Sequence, residues 1–70
     1  MTGIASPLER EIAARVCTVK ELEAWRLRDR GLGKRAIALA LEISVSTVKS
    51  RLFNADRKIA IELGKETTAA

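Results

Sequence analysis

Glu42, Ile43 and Ser44 are all that separates two stretches whose apolar residues recur at helical spacing. Upstream, "KRAIALALEI" (residues 34–43) is rich in Ala and Leu and sets Ile37 and Leu41 on one helix face. Downstream, Val48, Leu52, Ala55 and Ile59 follow one another at steps of four, three and four. Helices joined by so short a link cannot lie antiparallel over much length, so their axes must cross steeply. Ala38 and Val48 fall at the crossing, where a small side chain permits close approach. This is helix-turn-helix geometry, and the remainder of the chain must pack around it.

The rest of the chain is punctuated just as clearly. In "SPLEREIAARV" (residues 6–16), Ser6 is a helix N-cap, Pro7 takes the first helical position and Glu9 stands three beyond the cap. Leu8, Ile12 and Val16 supply the apolar stripe of this helix, which ends near Val16. Thr18 and Glu21 repeat the capping pattern and open "VKELEAWRLRDR" before Gly31, a residue suited to a left-handed helix stop. Val19, Leu22, Trp25 and, to one side, Leu27 form its inner stripe, with Trp25 a core residue. Leu39, and Leu22 again, have faces left over for the first helix or for a partner. Ser44 caps the last helix and Gly64 closes it, leaving "KETTAA" (residues 65–70) as a flexible tail. No strand alternation appears, so the expected fold is all-α. It is a four-helix helix-turn-helix domain over residues 18–64, with an extra helix in residues 1–17, no wing, and a long C-terminal helix.

Seventy residues bury only about 60% of the surface their unfolded chain exposes, which leaves little room for an enclosed substrate cavity. There is no His and a single Cys. General bases, metal cages and disulfides are therefore scarce, and the expectation is a binding protein without cofactor or metal, not an enzyme. Cys17, beside Val16, reads as a small core residue of a reducing, cytoplasmic compartment. No apolar run reaches the length of a bilayer span. The formal net charge is +4 and the sequence pI about 9.8. Residues 34–70 hold seven Lys and Arg against four Asp and Glu, whereas residues 1–33 are nearly balanced, six against five. Positive charge thus gathers on the helix-turn-helix half and favours an anionic partner.

Once Val48, Leu52 and Ala55 face inward, the outer side of the same helix must carry Ser46, Thr47, Lys49, Ser50, Arg51 and Asn54. Short hydroxyls let a helix approach a DNA groove closely, and Lys and Arg reach phosphates or guanine edges. Lys34 and Arg35 open the preceding helix, where cations and free amides suit the phosphate backbone. Arg57 and Lys58 extend the positive surface.

These residues carry a family likeness. Residues 18–63 resemble sigma factor region 4 and the related DNA-binding domain of LuxR-type regulators. "TVKELEAWRLRDRGLG" is similar to the family's opening, and "AIALALEISVSTVKSRLFNADRKI" to its helix-turn-helix, through Ile37, Ala38, Leu41, Ile43, Ser44 and the run Thr47 to Leu52. Ser50-Arg51 is closer to the extracytoplasmic-function sigma version, whereas Asn54 and Lys58 occupy places shared with LuxR-type domains. The resemblance implies that Ser46, Thr47, Lys49, Ser50 and Arg51 contact DNA in the major groove and along its phosphates. The chain departs from the pattern at Gly33, where Ser or Thr is usual, at Ala36 for Glu, at Glu42 for Gly, and at Asp56 among expected basic residues.

The expected function is sequence-specific recognition of double-stranded DNA by a small bacterial or phage transcription regulator, reading the major groove with the helix that begins near Val45. A homodimer on two half-sites fits so small a module. Phe53, Ile61 and Leu63 would then form the dimer surface, unless Ile61 and Leu63 pack against Leu8 and Ile12. The competing expectation is a protein-interaction module that engages RNA polymerase or a sigma factor, motivated by Glu42 and Asp56.

Overall fold

Each helix begins where a short side chain, or none, precedes the first free amides. A computed structural model describes residues 5–68, with side chains through residue 65. It contains α1 (Pro7–Val16), α2 (Val19–Asp29), α3 (Lys34–Leu41) and α4 (Val45–Thr68), and no strand among the described residues. Ser6 and Glu9 close a reciprocal capping box on α1, and Thr18 and Glu21 close another on α2. Ser44 Oγ accepts from the Thr47 amide at 3.1 Å and starts α4. Gly33, before α3, makes no side-chain cap.

The two inner turns share one device. At the end of α2 the Leu32 amide donates to the Leu27 carbonyl (3.1 Å) and the Gly31 amide to that of Arg28 (2.8 Å), with Gly31 at φ 101°. At the end of α3 the Ile43 amide donates to the Ala38 carbonyl (3.0 Å) and the Glu42 amide to that of Leu39 (3.3 Å), with Glu42 at φ 57°. Both are Schellman turns, and Leu32 and Ile43 lean back onto the core as that motif requires. Glu42 has a Cβ in the left-handed region, which costs on the order of 1 kcal/mol. Glu42→Gly is therefore expected to stabilise the domain by about 1 kcal/mol, read as a higher urea midpoint. An unchanged or lower midpoint would show that the turn carries no such strain.

Gly64 does not end α4, contrary to the sequence expectation. The helix runs on to Thr68, so residues 65–68 extend it, while residues 69 and 70 lie outside the described residues. The reason is chemical: Lys65, which follows the glycine, provides no apolar side chain for a Schellman contact and pairs with Glu62 one turn back at 3.8 Å.

The long α4 packs against each of the other three helices, and α3 lies on α2. Its stripe of Val48, Leu52, Ala55 and Ile59 is buried and meets Ile12, Ala13, Ala24, Trp25, Ile37 and Ala38. Ile12, Ile37 and Val48 are fully enclosed. Two residues assigned to inner stripes face water instead: Val19 is 76% exposed and Leu8 42%. On α2 the buried face runs through Glu21, Ala24 and Trp25. Glu21 can occupy it because its Oε1 accepts from the Thr18 amide (3.0 Å) and from Lys58 Nζ (2.8 Å). Leu22 packs at the core margin, as do Leu27, Leu63 and Cys17, whereas Leu39 is 81% exposed. Burial, with Glu21 nearby, raises the Cys17 thiol pKa above its ordinary value.

Candidate nucleic-acid interface

The turn at Glu42 and the cap at Ser44 launch α4 with one side already committed to the core. What remains outside is therefore set by rotation about the helix axis. Ser46, Lys49, Ser50, Asn54 and Arg57 are exposed on this outer side, and Arg51 is half-buried at its margin. Thr47 is half-buried too, with its hydroxyl 2.8 Å from Ser44 Oγ, so it serves the cap before it serves any ligand. Arg35 shares a shallow groove with Ser44 and Val45, which places the start of α3 beside the start of α4. Lys34 is exposed on the same first turn of α3. Asn54 and Arg57 line a smaller depression with Lys58 and Ile61.

Ion pairing sorts the charges further. Lys58 Nζ is held by Glu21, which ties it to α2 instead of leaving it free for a ligand. Asp56, the acid that interrupts the basic surface in sequence, is gripped by both Nη atoms of Arg28 from α2. Such an exposed pair is worth little in stability, but it neutralises a carboxylate that would repel an anion. Among the described residues, Lys34, Arg35, Lys49, Arg51 and Arg57 form no ion pair. Five cations that the fold leaves without an ion pair thus lie on α3 and α4.

The bonds from Lys58 and the Thr18 amide hold the Glu21 carboxyl below its ordinary pKa. A carboxylate with a depressed folded pKa contributes stability that is present above its unfolded value, about 4.3, and is lost as pH falls through the folded one. Glu21→Gln is expected to flatten this acid limb. Urea midpoints at pH 7 and pH 3 should lie closer together in the variant than in the wild type; equal pH sensitivity would remove Glu21 from the account.

Three arginines escaped the sequence reading. Arg10 of α1, Arg26 of α2 and Arg30 at the C-cap of α2 line one cleft with Trp25 and Asp29, a convergence that periodicity alone does not show.

Among the described residues no group of His, Cys, Asp and Glu is placed to hold a metal ion, and no helix is long and apolar enough to cross a membrane. Comparisons with protein-family models, curated proteins and solved structures find no match.

Proposed function

We propose that the chain is a small transcription regulator that binds double-stranded DNA sequence-specifically and lays the first turns of α4 in the major groove. One observation carries this reading: α4 buries Val48, Leu52, Ala55 and Ile59 while presenting Ser46, Lys49, Ser50, Asn54 and Arg57 on the opposite side, directly after a three-residue turn from α3. The hydroxyls and the amide hydrogen-bond to base edges, and Lys49, Arg51 and Arg57 reach base edges or phosphates. Lys34, Arg35 and the uncapped amides of α3 bind the flanking backbone. Phe53, 64% exposed, and Ile61, 54% exposed, lie outside the core and suit a second copy on an adjoining half-site.

Selection of bound duplexes from a random pool, followed by anisotropy titrations at several salt concentrations, tests the proposal. The expected result is an enriched motif whose affinity falls with salt at a slope of roughly −4 to −5 on logarithmic axes, for about five phosphate contacts. A pool with no enrichment and no duplex affinity would overturn it. A second reading, engagement of RNA polymerase or a sigma factor, draws on Leu39, which stands 81% exposed on a groove with Arg35, Glu42 and Ile43. Capture of polymerase by a chain that shows no duplex affinity would favour it.

A further inference from the structure

Arg10, Arg26 and Arg30 surround a cleft of about 250 Å³, bordered by Trp25 and Asp29, on the α1 and α2 side of the molecule. Its chemistry is unbalanced. Asp29 is committed: Oδ2 accepts from Arg10 Nε at 2.9 Å and Oδ1 from the Ala5 amide at 2.7 Å. Arg10 still has its Nη2 buried with no hydrogen-bond partner. Arg26 and Arg30 are exposed and form no ion pair among the described residues. They are four apart on the α2 helix and its cap, so their like charges share one face, and the acid beside them, Asp29, is bonded to Arg10 and to the Ala5 amide. The helix dipole favours cations at this end of α2, but it does not explain why a third guanidinium arrives from α1. Converging guanidinium forks with spare donors match the several oxygens of a phosphate.

The cleft also has a place relative to the helix-turn-helix. Arg30 is joined to Lys34 through Gly31, Leu32 and Gly33, so their Cα atoms are at most about 14 Å apart, and the Schellman turn draws them closer. One strand of a duplex carries a phosphate about every 3.4 Å of axis, so that distance spans about four of them.

We propose that Arg10, Arg26 and Arg30 form a second phosphate-binding cleft, which takes a backbone phosphate of the duplex beyond the stretch held by α3 and α4. The inference rests on the DNA-binding reading and extends it to flanking sequence that α4 does not touch. It adds affinity without base preference, because phosphate contacts carry no direct sequence information.

The test compares the full chain with the Arg26→Gln, Arg30→Gln double variant, on the selected duplex trimmed to its motif and on the same duplex extended by one helical turn at each end. The expected result is that the variant loses about 1 to 2 from the salt slope on the extended duplex, keeps its base preference, and behaves as wild type on the trimmed one. The Arg26→Lys, Arg30→Lys variant retains most of the slope. Equal slopes for wild type and the Gln variant on the extended duplex overturn the proposal. Trp25, the chain's one Trp in the absence of any Tyr, reports on the cleft directly. A saturable change of its emission with inorganic phosphate alone, lost in the Gln variant while duplex slopes stay equal, assigns the cleft to a free anion instead. A wild-type chain with no duplex affinity sinks the reading beneath as well, an outcome distinct from normal binding with unaltered slopes.

Discussion

Leu52→Ala is expected to lower the unfolding free energy by about 2–5 kcal/mol, the range for deleting most of a buried leucine side chain. Leu52 is 3% exposed and sits between Val48 and Ala55 on the stripe by which α4 meets the other helices. A domain of this size holds only about 0.05–0.15 kcal/mol of stability per residue, so the loss takes a large share of the whole. Urea titration followed by circular dichroism should show it as a midpoint shift with an unchanged slope. No neighbour can fill the gap easily, because Ala55 and Ala38 are already small and Ile37 and Val48 are fully enclosed. A midpoint equal to that of the wild type would remove Leu52 from the core and, with it, the orientation of α4 on which the interface depends.

Arg51→Ala should weaken binding to the selected duplex by about 1–3 kcal/mol while leaving thermal stability close to wild type. Arg51 stands at the margin of the buried stripe and makes no ion pair among the described residues, so its guanidinium is not part of the folded scaffold. Anisotropy titrations on the selected motif and on single-base variants of it distinguish two modes. A loss confined to one base position marks a guanine contact. An equal loss on every duplex, with the salt slope reduced by about 1, marks a phosphate contact. Unchanged affinity on all duplexes would take Arg51 out of the interface. Lys58→Ala makes the useful contrast, since Lys58 is held 2.8 Å from Glu21 and its removal should act first on stability.

Three acids of this chain are drawn into ion pairs between helices. Asp29 is turned toward Arg10, Glu21 toward Lys58 and Asp56 toward Arg28. The pairs from α2 to α4 involve residues seven apart on α2 but only two apart on α4, as crossing axes require. Asp56, which in sequence interrupts the basic run, is therefore electrostatically muted by a residue 28 positions away.

Helix starts and turns were legible in the linear chain because their causes are local. Ser6 with Glu9, Thr18 with Glu21, and Ser44 with the Thr47 amide are all bonds spanning three residues, and Gly31 answers a steric demand on one φ angle. The buried face of α4 was legible too, since four apolar residues at helical spacing admit one side only. Gly64 misled, because the apolar follower that favours a Schellman stop is absent at Lys65, and Val19 misled, because the buried face of α2 runs through Glu21, Ala24 and Trp25, with the Glu21 carboxylate accepting two hydrogen bonds. The all-α class, the helix boundaries before residue 64 and the two-faced character of α4 thus belong to the primary structure. Which carboxylates neutralise which cations, and the meeting of Arg10 with Arg26 and Arg30, belong to the packed molecule alone: those pairings join residues 16 to 37 positions apart, and only the crossing angles of the helices set their distances.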